Sequence, residues 1–372
     1  MDLVWFLFAA HSCGICLVLV LVNGYMTMRR NDLHAVQTTH QRPTSRFGGL
    51  AIFVTFAASL LIEPTRENPQ ILENFACLFP IFLVGVLEDS GRRIAPRWRL
   101  LACVISSLIA IVVCGSEIDR LGFLRLDFLL EQQAVAIFLT VLVLTGVTQS
   151  FNLLDGLHGL CGFTAVIVAL ALAAISAQGA QTDMGQVMAL LVAAIVGFLI
   201  LNYPRGLLFL GDAGATCIGF ILACTAIEML HIQPELSPWA LVLVFFWPIA
   251  DTLLAINRRL KRHRAAMQPD RMHFHHVVMR AFEILVLGKK NRAVSNPAAT
   301  AILLPVIAAP SLVGIFVWNR DDLALMATVV FAVLFFATYQ AIVRRAQHRL
   351  GVVLGGGFRA PNTLNHRGGI SE

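Results

Sequence analysis

The sequence predicts an all-α protein that crosses a membrane about eleven times. Three observations lead to this fold class. Hydrophobic residues make up 58% of the chain, charged residues make up only 13%, and the mean hydropathy is +0.76. Soluble domains carry about 25% charged residues, so this composition is typical of a membrane protein. The apolar residues are also grouped in long runs, and the basic residues fall almost entirely on one side of these runs.

Each long apolar run is predicted to be a spanning helix, because about 20 apolar residues cross a bilayer and lipid offers the backbone no hydrogen-bond partners. The runs cover residues 3–24, 47–63, 70–87, 100–118, 133–151, 159–178, 185–201, 213–231, 237–256, 297–317 and 323–343. The first run has no basic region before it and no A-x-A cleavage site. We therefore expect it to be a retained span and not a signal peptide.

The distribution of Lys and Arg predicts the orientation. Of the 28 basic residues, all but four fall in segments on the same side as residues 25–46, if the chain crosses at every run. The exceptions are Arg66, Arg120, Arg125 and Arg320. Basic loops stay in the cytoplasm, so the N-terminus is predicted to lie outside and the C-terminus inside.

The predicted spans leave no room for a separate soluble domain. We expect residues 1–345 to form one integral membrane domain and the Gly-rich residues 346–372 to form a disordered cytoplasmic tail. The net charge of +6 does not indicate nucleic-acid binding, because the basic residues lie in short loops beside apolar spans. The eight cysteines lie in or at the ends of apolar runs and are expected to pack there, without a metal or redox role.

Five polar segments interrupt the apolar runs, and all five fall on the predicted cytoplasmic side. They are His40–Gly49, Glu88–Arg99, Asn152–Gly159, Leu201–Thr216 and Asp251–His276. The short loops on the other side contain no comparable cluster. The sequence therefore predicts that the five segments converge on one active site at the cytoplasmic face.

One of these segments, Glu88–Arg99, places two acids at a helix end. Glu88 and Asp89 are adjacent, so they do not share a helix face, and at most one is expected to point inward. Acids at a helix C-terminus are disfavoured by the helix dipole, so a cation should compensate them. Arg92 and Arg93 are the nearest basic residues along the chain. The alternative is a functional acid that acts as a metal ligand or a general base.

The next two segments add oxygen ligands. Asn152 and Asp155 lie three residues apart and share a face if helical, and His158 is the only nearby side chain that could carry a positive charge. Asn202 and Asp212 lie in the turn between the apolar runs 185–201 and 213–231, and Asp212 could cap the second helix or bind a cation. Carboxylate and amide oxygens in this number are typical of Mg²⁺ sites.

The last segment contains Arg271, His273, His275 and His276. Three histidines within four residues could bind zinc, but no cysteine and no second histidine cluster completes such a site in the sequence. The cations and imidazoles better suit a phosphorylated ligand. With the acids, they indicate phosphoryl transfer between a charged nucleotide substrate and a lipid phosphate.

Five stretches carry a family resemblance in this order. They are VGVLED at 84–89, FNLLDGLHGL at 151–160, LFLGDAGA at 208–215, WPIADT at 247–252 and PDRMHFHH at 269–276. Together they resemble the polyprenyl-phosphate N-acetylhexosamine-1-phosphate transferases of glycosyltransferase family 4. The resemblance covers about residues 1–345 and is closer to the undecaprenyl-phosphate GlcNAc-1-phosphate transferases than to the phospho-MurNAc-pentapeptide transferases.

The resemblance implies a Mg²⁺-dependent reaction in the bacterial inner membrane, with the active site facing the cytoplasm. A UDP-sugar and undecaprenyl phosphate would give undecaprenyl-diphosphate-sugar and UMP, the first step of a cell-surface polysaccharide such as O-antigen. By position, Asp212 would hold Mg²⁺ and Asp89 or Glu88 would activate or position the lipid phosphate. The residues implied to line the nucleotide and metal pocket or bind the phosphates are Asn152, Asp155, Asn202, Arg271, His273, His275 and His276.

This chain departs from the family pattern at two positions. Glu88 replaces the first of two adjacent Asp residues, and His158 replaces the second Asp of a DGxDG motif. His158 would then lie where that Asp contacts the nucleotide base or the metal. A homodimer is left open. The alternatives are a transporter or lipid flippase, and a phosphotransferase that uses a CDP-linked donor.

Overall fold

The chain folds into a bundle of helices in a computed structural model, which describes residues 2–26, 44–62, 76–123, 127–179, 182–261, 273–288 and 291–353. The helices are α1 (Asp2–Met26), α2 (Gly48–Ile62), α3 (Phe79–Asp89), α4 (Pro96–Cys114), α5 (Gln133–Leu154), α6 (Leu160–Gln178), α7 (Thr182–Asn202), α8 (Gly211–Ile232), α9 (Pro238–Val244), α10 (Phe246–Lys261), α11 (Phe274–Phe282), α12 (Arg292–Phe316) and α13 (Asp321–Val353). A 3₁₀ turn covers Asp127–Glu131, and a π turn covers Glu283–Leu287. The all-α prediction is confirmed.

Eight of the described helices are long and apolar enough to cross a membrane, which confirms the membrane class. Helices α9 and α10 meet at a bend of 79° and bring the number to nine if they form one span. Helix α2 has 15 residues and α3 has 11, so neither meets the length of a full span. Each predicted run overlaps a helix, but the count of eleven and the orientation of the termini stay predictions.

Helix α8 is the centre of the bundle. In its apolar window 89% of the residues are buried, against 11% in α13, whose apolar side chains face outward. Small residues allow this packing. A Cβ built on Gly49 of α2 would overlap the backbone of Gly214, and one built on Gly85 of α3 would overlap Ala213. The first turn of α8 therefore lies directly against both shorter helices.

The last helix continues to Val353, eight residues beyond the boundary expected at residue 345. The remainder of the expected tail, residues 354–372, lies outside the described part of the chain. The division into a membrane domain and a tail stays a prediction.

Candidate active site

The site is built around the N-terminus of α8, which is held by Asp89, the last residue of α3. The backbone N–H of Asp212 donates to Asp89 Oδ1 at 2.9 Å, and that of Ala213 donates to Oδ2 at 3.0 Å. The first N–H groups of a helix have no partner within the helix, and an acid is favoured beside them. Asp89 is only 6% exposed, so both of its oxygens are engaged in joining α3 to α8.

The glycine before Asp212 makes this approach possible. Gly211 has φ +78°, a left-handed conformation that L side chains rarely adopt. A Cβ at this position would also overlap the carbonyl oxygen of Arg46 and press against the Asp89 carboxylate. The Gly-Asp-Ala-Gly sequence is thus explained by the close meeting of three chain segments at the start of α8.

Arg99 in the first turn of α4 bridges two of the acids. Its Nη1 lies 3.3 Å from Glu88 Oε1 and 3.1 Å from Asp212 Oδ2. The three side chains are 21–26% exposed, so the cluster is open to a ligand. Arg92 and Arg93 are the nearest basic residues along the chain, but Arg99 meets both acids, because the turn after α3 brings it back toward them.

Glu88 retains an unused oxygen. Its Oε2 is buried and makes no hydrogen bond among the described residues. Burial, followed by the nearby charge of Asp212, raises the pKa of Glu88 to about 7, although Arg99 acts in the opposite direction. Burial also raises the pKa of Asp89 to about 7, against the effect of its two N–H donors.

Asp155 joins the same cluster from the end of α5. Its carboxyl accepts a backbone hydrogen bond from Gly211 and senses the charges of Arg46 and Asp212. The residue as a whole keeps some exposure, but its carboxyl lies inside the protein, and this burial raises its pKa to about 7. Arg46 also lowers the pKa values of Glu88 and Asp89, so it is a cation common to the acids.

Asn202 connects two of the loops beneath the acids. Its Oδ1 accepts from the N–H of Gly159 at 2.6 Å, and its Nδ2 donates to the carbonyl of Leu208 at 2.7 Å. The residue is 3% exposed. Asn202 therefore holds the two loops together through its side chain. Its binding of substrate stays a prediction.

His158 is fixed in the same loop by its backbone and its ring. Its N–H donates to Asn296 Oδ1 at 2.7 Å, and its carbonyl accepts from Thr300 Oγ1 at 2.8 Å. The ring Nδ1 lies 2.8 Å from the carbonyl of Pro204, and burial lowers the pKa of the ring. The sequence analysis did not identify Asn296, because it immediately precedes an apolar run with no motif around it.

The histidine segment is anchored to α10 through Asp251. Its Oδ1 accepts from the N–H of Phe274 at 2.8 Å, and its Oδ2 lies 3.0 Å from His275 Nδ1 and 3.3 Å from His273 Nδ1. All four residues are buried. Asp251 was part of a polar segment in the sequence analysis but was not among the candidate site residues.

The absence of a side chain at Gly156 lets the histidine segment approach the acids. A Cβ built on Gly156, next to Asp155, would lie 3.0 Å from a ring atom of His276 and 3.1 Å from His275 Nε2. The described residues of all five polar segments are therefore linked in one region. Asn152 lies three residues before Asp155 on α5, and its metal role stays a prediction. Arg271 lies outside the described residues.

The fold and this region define a polytopic helical membrane protein with clustered acids and cations at the helix ends. Comparison with known proteins supports a family assignment. The family described as Glycosyl transferase family 4 matches residues 71–230, which supports placing this chain among its transferases. The matched range contains Glu88, Asp89, Asn152, Asp155, His158, Asn202 and Asp212, whereas the histidine segment lies beyond it.

Three curated relatives agree with this assignment. A Bacillus subtilis protein named probable undecaprenyl-phosphate N-acetylglucosaminyl 1-phosphate transferase is 29% identical, covering 67% of this chain and 69% of its own. A Mycobacterium tuberculosis decaprenyl-phosphate N-acetylglucosaminephosphotransferase is 29% identical over 88% of this chain and 87% of its own length. A Yersinia pestis undecaprenyl-phosphate alpha-N-acetylglucosaminyl 1-phosphate transferase is 26% identical over 74% of this chain and 73% of its own length. With the apolar helices, these bacterial relatives indicate a bacterial membrane protein, and nothing in them supports the transporter alternative.

Proposed function

We propose that this chain transfers a sugar-1-phosphate, with N-acetylhexosamine-1-phosphate as the expected group, from a UDP-sugar to undecaprenyl phosphate. The products are undecaprenyl-diphosphate-sugar and UMP. The observation that carries the proposal is the meeting of Glu88, Asp89, Asp155 and Asp212 with Arg46 and Arg99 at the start of α8. The family match and the names of the relatives support the reaction class.

The acid cluster fits a Mg²⁺ ion by its chemistry. Glu88 Oε2 is buried without a hydrogen-bond partner, and Asp212 Oδ2 already faces a cation, the Arg99 guanidinium. Oxygen ligands of this kind suit Mg²⁺, which binds through one or two carboxylates together with substrate phosphates. We propose that Asp212 and Glu88 hold the ion, with Asn152 as a further candidate. When bound, Mg²⁺ would neutralise charge on the phosphoryl oxygens.

The reaction forms one bond and breaks another at the β-phosphorus of the UDP-sugar. An oxygen of the lipid phosphate attacks this phosphorus, and the bond to the oxygen that bridges the two phosphates breaks, so UMP leaves with that oxygen. The protein's task is to align the two phosphates and to stabilise the negative charge on them. Arg46 and Arg99 supply positive charge for this purpose.

The two adjacent acids then have different roles in the proposal. Asp89 uses both oxygens to hold the backbone of α8, so it acts by positioning Asp212. Glu88 has an unused oxygen and greater exposure, which supports Glu88 as the acid beside the lipid phosphate. The longer side chain at position 88 is consistent with this division.

The nucleotide end of the donor would lie toward the histidine segment. His275 and His276 adjoin Gly156, next to Asp155, and His273 belongs to the same segment. The His276 imidazole and Arg271 would meet the phosphates there, with His273 and His275 holding the segment in place. The setting we propose is the bacterial inner membrane, with this face in the cytoplasm, as the first step of a cell-surface polysaccharide, either by a monomer or by a homodimer.

The test is UMP release by purified protein with undecaprenyl phosphate, Mg²⁺ and a panel of UDP-N-acetyl sugars. We expect release that requires the lipid, the metal and one preferred sugar. Lipid-independent release, or no release with any sugar from protein that elutes as a single folded species, would contradict the proposal. A CDP-linked sugar in the same panel tests the other donor class directly.

A further inference from the structure

We propose that Asp251, His273 and His275 form a second metal site, with zinc as its ion. It is distinct from the acid cluster at the start of α8, and its existence does not depend on the proposed reaction. The three side chains come from α10 and from the segment that begins α11. They are 2%, 5% and 0% exposed, so the site is enclosed by protein.

The distances between the ligand atoms are those of a metal site. One ligand atom from each residue lies within 4.8 Å of the others. Asp251 Oδ2 is 3.0 Å from His275 Nδ1 and 3.3 Å from His273 Nδ1. Ligands bound at about 2.0–2.2 Å around a tetrahedral zinc ion lie roughly 3.3–3.5 Å apart. Two of the three distances are thus close to those of a zinc site, and the third, between the two imidazole nitrogens, is within 4.8 Å and would close as the ion binds.

The hydrogen bonding also leaves room for an ion. Among the described residues, His273 Nδ1 is buried and makes no hydrogen bond of regular geometry, although it lies 3.3 Å from the Asp251 carboxylate and interacts with it, and His275 Nε2 has no partner there either. Buried polar atoms without partners are costly, and each calls for an explanation. A metal that accepts the lone pair of His273 Nδ1 would satisfy this atom and would give the short contact to Asp251 a cause.

The donor set selects the ion. Two imidazole nitrogens and one carboxylate oxygen suit zinc, whereas Mg²⁺ prefers a shell of oxygen ligands. Three protein ligands leave a fourth position open. The other Asp251 oxygen accepts the Phe274 N–H at 2.8 Å, which fixes the carboxylate. Zinc would thus fasten the histidine segment to α10, beside Gly156 and the acid cluster.

The direct test is metal content. Full-length protein without a polyhistidine tag is purified in detergent, stripped with EDTA, equilibrated with excess zinc and passed through a desalting column. Elemental analysis should then find one zinc per chain, and Co²⁺ in place of zinc should give a visible d–d absorption band. Wild-type protein that retains no zinc and shows no cobalt band would overturn the proposal. These readouts do not depend on UMP release, so failure of the transferase assay leaves the test intact.

Variants locate the ion. His273→Ala and His275→Ala should each lower zinc affinity by at least about 100-fold. His273→Ala is the sharper variant, because Asp251 keeps its hydrogen bonds to the Phe274 N–H and to His275 when the His273 ring is removed. The matched control is His231→Ala, which removes an exposed histidine at the opposite end of α8 and should leave the stoichiometry unchanged. Equal zinc retention in His273→Ala and wild type would place any bound metal elsewhere and overturn the proposal.

Discussion

Replacing Asp89 by alanine should destabilise the protein through the backbone of α8. The change removes the acceptor of two N–H groups, those of Asp212 and Ala213, in a position that is 6% exposed. A buried donor without a partner costs about 1–3 kcal/mol, so we expect a loss of about 3 kcal/mol in the free energy of unfolding. The measurement should be made at pH 6, below the pKa of about 7, where the Asp89 carboxyl of the folded protein is largely protonated.

The assay is equilibrium unfolding in mixed detergent micelles, with Glu88→Ala as the matched control on the neighbouring acid. Glu88 lies 3.3 Å from Arg99, which it shares with Asp212, and its side chain is 21% exposed. Its removal should therefore lower the free energy of unfolding by less than about 1 kcal/mol. The difference in the free energy of unfolding between wild type and Asp89→Ala should be smaller at pH 8 than at pH 6. The wild type loses stability as the pH rises through the folded pKa of Asp89, and the variant does not. Equal destabilisation by the two substitutions at pH 6 would refute the positioning role of Asp89.

Three further predictions follow from the same contacts. Arg99→Leu should lower the free energy of unfolding by about 1 kcal/mol at pH 8, because the carboxylates of Glu88 and Asp212 would then repel each other. Millimolar Mg²⁺ should restore part of this loss, and thermal unfolding with and without Mg²⁺ measures it. Asn202→Ala should cost about 2–4 kcal/mol, since it leaves one buried N–H and one buried carbonyl unpaired; a loss under 1 kcal/mol would show that the loops do not depend on it. Without ligand, stability should fall from pH 6.5 to pH 8, because Glu88, Asp89 and Asp155 have folded pKa values of about 7, above their usual range, and the folded state holds more protons in that window. Below pH 6.5 the buried His158, His275 and His276, whose pKa values are lowered, act in the opposite direction. A melting temperature that rises from pH 6.5 to pH 8 would contradict the last prediction.

The helical fold was predictable because hydropathy alone identifies apolar helices in a membrane chain. The starts and bends of helices were not, since a run of apolar residues does not reveal them, and the number of spans stays a prediction. The predicted run at 70–87 contains α3, which begins at Phe79, and the run at 237–256 is divided by a sharp bend before Phe246.

The grouping of the acids was predictable from the side of the membrane on which each segment falls. Their partners were not, because those contacts join residues that are distant in sequence. Asp89 meets the backbone 123 residues later, and Asp251 meets a histidine 24 residues later. Arg99 meets Glu88 and Asp212 because the chain turns after α3, and local spacing does not encode that direction.

Asp212→Asn tests the central claim most directly, because this residue faces Arg99 at the start of α8 and is the principal candidate for holding Mg²⁺. The variant should fold and elute as wild type does, while UMP release from the UDP-sugar and undecaprenyl phosphate falls by at least about 100-fold. Full release by a folded Asp212→Asn protein would contradict the assignment of the acid cluster as the active site.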